Sequence, residues 1–132
     1  EIARSLSEAR RVLRPGGRLI LRVSAHPWLW GPHDVAYNTG RRWRAHELVS
    51  HLQAAGFTVE RASYANSLLS PAIILIRLLH RWGLAAGAKE SSGWYDHLLR
   101  CALDAEARWL VHHKFPFGIS FYALVRKPKQ AA

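Results

Sequence analysis

The sequence predicts an α/β fold, because patterns of helix and strand alternate along its 132 residues. Two stretches with helical spacing each end in a turn that contains glycine, and a segment with the composition of a strand follows each turn. A third apolar segment, residues 119–125, follows a Pro-Phe-Gly break near the end of the chain. We therefore expect three strands, with helices packed on the sheet that they form.

The first helix and strand are predicted from residues 2–23. Apolar side chains recur at helical spacing between Ile2 and Leu13, and several arginines occupy the opposite face. Pro15 ends the helix because it has no backbone N–H to donate, and the Gly-Gly pair after it permits a tight reversal. Residues 19–23 are apolar enough to predict a strand that is covered on both faces.

The second helix and strand are predicted from residues 44–64. Apolar positions on one face predict a helix over residues 44–55, and Gly56 follows it as a C-terminal cap. Arg44 stands where a Ser or Thr would complete a capping box with Glu47, so the helix start is poorly capped. Residues 57–64 then predict a strand parallel to the first.

Two further helices are predicted before the last strand. Residues 71–82 are apolar almost all round, which fits a helix buried against its own domain, a lid or dimer face, or a contact with a membrane surface. Residues 83–93 predict a flexible loop, and residues 95–113 predict the second helix. In this helix we expect Cys101 to be a buried apolar filler. Glu106 lies on the apolar stripe, so it either extends from the border of the stripe or pairs with the arginine loop or Asn66.

The loop after the first strand, residues 25–34, is the predicted place for ligand chemistry. Ligands of open α/β sheets bind beyond the carboxyl ends of the strands, and this loop leaves such an end. Trp28 and Trp30 offer apolar walls, His33 can exchange a proton, and Asp34 offers a carboxylate acceptor. The alternative is that the two tryptophans only cover the edge of the core.

Several motifs, taken in order, resemble class I S-adenosylmethionine-dependent methyltransferases. Residues 8–24, a helix followed by Arg-Pro-Gly-Gly and a strand, are similar to the segment that leads into the fifth strand of that family. The motifs that follow at the family's approximate spacings are His33-Asp34, Arg41-Arg42-Trp43, residues 54–57, Asn66 and residues 116–120. The resemblance covers nearly the whole chain and is nearest to the small-molecule enzymes called type 11.

The resemblance implies the C-terminal part of a Rossmann-like methyltransferase sheet, in which the last of three strands is antiparallel and central. Residues 1–132 would form a single partial domain, with a two-helix insertion at about residues 67–113 before the last strand. S-adenosylmethionine would be bound mainly by an N-terminal half outside this chain, because no Gly-rich loop follows a strand here. We therefore expect the isolated chain to be inactive.

The same resemblance implies a site for an unidentified small-molecule substrate. The expected substrate-binding residues are His26, Trp28, Trp30, His33, Asp34, Arg41, Arg42, Trp43 and Asn66. Asp34 is expected to pair with Arg41 or Arg42 and so to hold the loop over the site. Trp43 stands where the family usually has a Tyr. We assign no catalytic residue, no cofactor-binding residue in this chain and no metal site.

The charge of the chain is strongly positive, with 19 basic against 9 acidic residues and a net charge of +10. The arginines are scattered and only residues 126–129 form a run, so we expect no nucleic-acid partner. The alternative to an enzyme is a non-enzymatic module that binds a protein or an anionic membrane through residues 68–82. We also expect a cytoplasmic location with peripheral membrane contact, and a homodimer. Residues 127–132 are expected to form a disordered tail.

Overall fold

A computed structural model describes residues 2–82 and 94–129 of the chain. The predicted helices and strands are present in the predicted order with bounds close to the predicted ones, and one short helix, Pro32–Ala36, lies in the segment predicted as a loop. In chain order they are α1 (Ile2–Val12), β1 (Arg18–Ser24), α2 (Pro32–Ala36), α3 (Ala45–Ala54), β2 (Thr58–Ala65), α4 (Ser70–Arg81), α5 (Trp94–His112) and β3 (Ser120–Arg126). One turn of 3₁₀ helix, Pro27–Leu29, follows β1. The loop predicted at residues 83–93 lies outside the described residues.

The three strands form one sheet in the order β1-β3-β2, and β3 is antiparallel to both of its neighbours. Since β1 and β2 run in the same direction, their carboxyl ends meet at one edge of the sheet. Ser24 and Ala65 both pair with Ser120 at that edge. The α/β fold with a central, antiparallel last strand is therefore confirmed.

The core lies between one face of the sheet and helices α1 and α3. Alternate residues of β3 are buried, as a strand with one packed face requires. Leu6 of α1 and Leu48 and Leu52 of α3 pack against them, and each is at most 2% exposed. The helical spacing of apolar residues thus identified the helix faces that build this core.

The prediction that both faces of β1 are covered is wrong for the described residues. Leu19, Leu21 and Val23 pack on the core, whereas Ile20 on the other face is 68% exposed. Side chains alternate between the two faces of a strand, and no described element covers the second face. β1 is also an edge strand of the described sheet.

The beginning of the C-terminal tail is ordered, which corrects the expected disorder for residues 127–129. The backbone of Lys127 exchanges hydrogen bonds with the glycine turn, since Gly16 N–H donates to its carbonyl at 2.9 Å and its N–H donates to Gly17 at 2.8 Å. Its ammonium group donates to the carbonyl oxygens of Arg10 and Leu13, which lie at the end of α1. Gly16 has a φ of 79°, the conformation that this turn requires. Residues 130–132 lie outside the described residues.

Helices α4 and α5 are much less buried than α1 and α3. On α4, Leu75 is 56% and Ile76 is 49% exposed, so the described residues do not bury this helix fully. On α5, Cys101 is exposed, which contradicts the expectation of a buried filler. The stripe that α5 turns inward passes through Glu106 and leaves Cys101 on another face. No helix in residues 2–82 and 94–129 has both the length and the hydropathy to cross a membrane.

Two polar contacts attach α5 to the sheet. Arg61 of β2 donates hydrogen bonds to the carbonyl oxygens of Leu110, Val111 and His113, which belong to the last turn of α5 and the residue after it. Glu106 is 3% exposed and accepts hydrogen bonds from the backbone N–H groups of Asn66 and Leu68. The prediction that Glu106 extends to solvent is therefore wrong. Glu106 does bind Asn66, as the alternative predicted, but through the backbone N–H of Asn66.

Candidate functional site

The candidate site begins where β1 ends, at the sheet edge that also carries the carboxyl end of β2. Ala25 is buried and forms a parallel bridge with Trp43. Trp43 N–H donates to the carbonyl of Ser24 at 2.9 Å, and His26 N–H donates to the carbonyl of Trp43 at 3.1 Å. Trp43 is 8% exposed, so it extends the sheet edge and packs on the core.

Asp34 is the most deeply buried carboxylate of the site, with 1% of its surface exposed. Arg42 Nη2 lies 2.8 Å from its Oδ1, and Arg77 Nη1 lies 3.1 Å from its Oδ2. Gly31 N–H also donates to Oδ2 at 3.0 Å and closes the first turn of α2. The expected partner is thus Arg42, and Arg77 of α4 is a second partner that sequence reasoning did not identify.

The environment of Asp34 favours its charged form. Burial alone would raise the pKa of this carboxyl, but the hydrogen bonds from Arg42, Arg77 and Gly31 and the charge of Arg42 together outweigh burial. The pKa of Asp34 is therefore lowered, and the group is a carboxylate at neutral pH.

The same two arginines also hold the backbone of the loop. Arg42 Nη1 donates to the carbonyl of Ala25 at 2.8 Å, and Arg77 Nη1 donates to the carbonyl of Leu29 at 2.6 Å. Asp34 therefore joins the end of β1, the loop that follows it and α4 through charge-assisted hydrogen bonds. These contacts set the position of the loop.

Arg41, the other candidate partner of Asp34, points elsewhere. Its guanidinium carbon lies 3.8 Å from the ring centroid of Trp43, and the group pairs with Glu47 of α3. The Arg41 side chain is 53% exposed, so this pair contributes little to stability. The bond between Glu47 and Arg41 lowers the pKa of Glu47. Arg44 provides no side-chain cap for α3, as predicted.

A cavity of about 420 Å³ opens between this loop and α4. Trp28 and Trp30 contribute to its wall and are 54% and 46% exposed. Its lining residues are Trp28, Leu29, Trp30, Gly31, Pro32, His33, Arg77 and Leu78. The two tryptophans therefore line a cavity, whereas neither belongs to the core cluster. Their role in binding a substrate stays a prediction.

His26 lies in an aromatic cluster and is not among the residues that line the cavity. Its ring stacks on Phe117 at 4.6 Å and on Tyr64 at 5.3 Å between centroids. Burial lowers its pKa, a backbone hydrogen bond at Gly118 partly opposes this, and the charge of Arg42 lowers the pKa further. Its Nε2 is buried without a hydrogen-bond partner among the described residues. A neutral imidazole fits these surroundings.

Asn66 shapes the turn that follows β2. It has a φ of 58°, and its side-chain amide donates to Ser120 Oγ at 3.2 Å. Its carbonyl accepts a hydrogen bond from the Ser70 hydroxyl at 2.5 Å, where α4 begins. Asn66 does not line the cavity, so the contacts that the structure gives it connect β2, β3 and α4.

Three of the nine predicted site residues line the cavity, and two more form the buried ion pair that fixes the loop. Trp28, Trp30 and His33 belong to the first group, and Asp34 and Arg42 to the second. The structure does not bring His26, Arg41, Trp43 or Asn66 to the cavity wall. Sequence reasoning missed Arg77 as a site residue, although a single arginine that interrupts an apolar helix is a signal for a buried partner.

The described residues do not by themselves fit a nucleoside cofactor such as S-adenosylmethionine. A free carboxylate typically binds the ribose of such a cofactor. Backbone groups of a Gly-rich loop, which can approach closely, typically bind the other polar groups of the cofactor. No described carboxylate lines the cavity, and the one beneath it, Asp34, has both of its oxygens occupied by arginines. In residues 2–82 and 94–129, no three His, Cys, Asp or Glu side chains come together to hold a metal ion.

The chain matches no protein-family model and no curated protein. Among solved structures it is similar to the [4+2]-cyclase SpnF, with 21% identity and a TM-score of 0.45 over 96% of this chain and 45% of SpnF. It is also similar to phosphoethanolamine N-methyltransferase 2 of Haemonchus contortus, solved in complex with S-adenosyl-L-methionine. That similarity has 13% identity and a TM-score of 0.48 over 98% of this chain and 30% of the enzyme. The chain thus spans less than half the length of either structure.

Proposed function

We propose that the chain is the substrate-side part of an S-adenosylmethionine-dependent methyltransferase that acts on a small molecule. The observation that carries the proposal is the cavity of about 420 Å³ beside the carboxyl end of β1. This volume lies in the range of small-molecule sites, and its place is the one that ligands occupy in open α/β sheets. The motifs that resemble the type 11 enzymes support the same function.

In this proposal the described residues position the methyl acceptor. Trp28, Trp30 and Leu78 form apolar walls that exclude water from the acceptor. Asp34 and its two arginines hold the loop, so the walls keep their geometry without reorganisation when the acceptor binds. Methyl transfer depends mainly on such alignment, because the acceptor atom must lie in line with the bond that breaks. The cofactor would be bound by segments outside this chain.

A calorimetric titration tests where the cofactor binds. S-adenosylmethionine titrated into the 132-residue chain should give no saturable heat, because the chain has no Gly-rich loop after a strand. Saturable binding in the micromolar range would contradict the proposed division of the site.

A transfer assay tests the role of the cavity in the complete gene product. With S-adenosylmethionine labelled in its methyl group and a small-molecule extract of the source cells, label should pass to an acceptor. Trp28→Ala should raise the KM for that acceptor by about tenfold or more, because it removes one apolar wall. Trp109→Ala is the matched control, since Trp109 is 52% exposed on α5 and does not line the cavity. Equal effects of the two substitutions would contradict the assigned site.

A second candidate function is a module that binds an anionic membrane surface. It is favoured by the exposed apolar side chains Leu75 and Trp82, which are 56% and 66% exposed, together with the net charge of +10. Sedimentation with vesicles of phosphatidylglycerol and of phosphatidylcholine separates the two functions. If the chain sediments with the anionic vesicles and Leu75→Ser abolishes this binding, the membrane module is supported. If the chain does not sediment with either kind of vesicle, the membrane module is contradicted.

A further inference from the structure

We infer that the cavity takes a flat apolar molecule that carries one anionic group, and that this group faces Arg77. The inference rests on the proposed function, since it names the chemical class of the methyl acceptor. Three properties of the described residues lead to it: an excess positive charge below the cavity, free donors on Arg77, and walls whose other side chains, apart from His33, are apolar.

The first property is the charge balance of the buried cluster. Arg42 and Arg77 share the single carboxylate of Asp34, and their side chains are 4% and 20% exposed. In the described part of the chain, Glu47 pairs with Arg41 and Glu106 is bound to backbone amides. Counting only the residues that the structure describes, the cluster therefore carries one uncompensated positive charge in a place of low solvent access. Such a charge is costly to keep unpaired, and an anionic ligand would compensate it.

The second property is the hydrogen-bonding state of Arg77. Both of its bonds, to Asp34 and to the carbonyl of Leu29, leave from Nη1. A guanidinium group has five N–H donors, and Nε and Nη2 of Arg77 have no partner among the described residues. Because Arg77 also lines the cavity and its guanidinium is always charged, these donors suit a carboxylate or another oxyanion there.

The third property is the shape and chemistry of the remaining wall. Trp28, Trp30, Leu29, Leu78 and Pro32 present apolar surface, and aromatic side chains prefer offset or edge contacts with other rings. The volume of about 420 Å³ suits a molecule of one or two rings. A fully apolar ligand would leave the excess positive charge of the cluster of Asp34, Arg42 and Arg77 uncompensated, and a cation would be repelled by that charge.

Binding of two matched probes tests the inference. 2-Naphthoate carries a carboxylate on a flat ring system, and 2-naphthamide is its neutral counterpart. Each is titrated into the 132-residue chain while the indole N–H signals of the tryptophans are followed by NMR. We expect 2-naphthoate to shift the signals of Trp28 and Trp30 and to bind about tenfold or more tightly than 2-naphthamide. Equal affinities, or shifts confined to other tryptophans, would overturn the inference.

Variants of Arg77 show whether that residue causes the preference. Arg77→Met should bring the ratio of the two dissociation constants close to one, whereas Arg77→Lys should keep a preference for the anion. Arg22→Met is the matched control, because Arg22 is an exposed arginine of β1 away from the cavity and should leave the ratio unchanged. A ratio that Arg77→Met does not change would overturn the inference. If Arg77→Met does not fold, the test uses the unsubstituted chain at two salt concentrations. The preference for 2-naphthoate over 2-naphthamide should then weaken as salt is added, and a preference that salt does not change would overturn the inference.

The outcome is separable from that of the proposed function. Selective binding of 2-naphthoate at Trp28 and Trp30 without any methyl transfer by the complete gene product would refute the methyltransferase and keep the anion site. Methyl transfer to neutral or cationic acceptors only would keep the methyltransferase and refute the anionic acceptor.

Discussion

Asp34 connects three parts of the chain that lie far apart in sequence. Its carboxylate binds Arg42 from the segment before α3 and Arg77 from α4, and all three groups lie at or beneath the cavity wall. Since a buried charge is stable only with its partners, removal of one group affects the others. The local packing of the candidate site therefore depends strongly on this side chain.

Asp34→Asn should destabilise the chain by about 3–5 kcal/mol at pH 7, because it leaves two guanidinium groups without their carboxylate. The free energy of unfolding in urea, measured at pH 7, gives the change. Glu8→Gln is the control, since Glu8 forms an exposed pair with Arg11 and should leave the urea midpoint nearly unchanged. A loss below about 1 kcal/mol for Asp34→Asn would contradict the structural role of the cluster.

His26 should make stability depend on pH. Burial lowers its pKa below the ordinary value of 6.5, so between the two pKa values the unfolded chain binds a proton that the folded chain does not. Stability is then full above about pH 6.5 and decreases as the pH falls.

His26→Asn removes this titration, and Asn tolerates the φ of 60° found at this position. The loss of ring contacts should cost about 0.5–1.5 kcal/mol at pH 8. The cost at pH 5.5 should be smaller, because the substituted chain no longer loses stability through protonation. Urea unfolding at the two pH values measures both costs, and equal costs would show that His26 does not titrate as inferred.

At the level of the secondary-structure elements, α5 is held by its polar contacts more than by apolar burial. Among the described side chains of α5, Glu106 is the only one that is buried. It accepts two backbone N–H groups from the turn between β2 and α4, while Arg61 binds the carbonyl groups at the end of α5. These contacts set which face of α5 meets the sheet.

Glu106→Ala should destabilise the attachment of α5 by about 2–4 kcal/mol, because it leaves two backbone N–H groups without an acceptor. Limited proteolysis and urea unfolding measure the effect, and cleavage within α5 should become faster. Asp104→Ala is the matched control, since Asp104 is exposed on the same helix. If both variants are cleaved at the same rate, the carboxylate does not anchor the helix.

The arrangement of the whole molecule places β3 at the centre of the sheet. Its backbone bonds to β1 on one side and to β2 on the other, and Phe121, Ala123 and Val125 are buried. Helices α4 and α5 instead contribute little to the core. Local opening of these helices should therefore need less free energy than opening of the sheet.

Hydrogen exchange followed by mass spectrometry should show this order directly. The amides of β3 should exchange most slowly, and those of α4 and α5 should exchange faster, since opening a helix with few buried side chains exposes little apolar surface. Protection of α5 equal to that of β3 would indicate that the helices and the sheet unfold as one unit.

The positions of the helices and strands were predictable because their signals are local. α1 ends at Val12, shortly before Pro15 and the glycine turn, and Gly56 follows α3 with a φ of 78°, as a C-terminal glycine does. Periodic apolar residues placed the inward faces of α1 and α3 correctly, since the repeat of a helix is independent of the rest of the chain. The pairing of β3 between β1 and β2 came from resemblance to a family.

The contacts of the candidate site depended on residues that meet only in the folded chain. The sequence placed Asp34 in a ligand loop, but its partner Arg77 lies 43 positions away on another helix. It placed Glu106 on an apolar stripe, but the backbone groups that satisfy it come from a turn 40 and 38 positions earlier. The exposure of Cys101 and Ile20 likewise follows from which neighbours pack on their helix and strand. Local periodicity specifies the elements, whereas long-range packing specifies the partners of each buried polar group and the wall of the cavity.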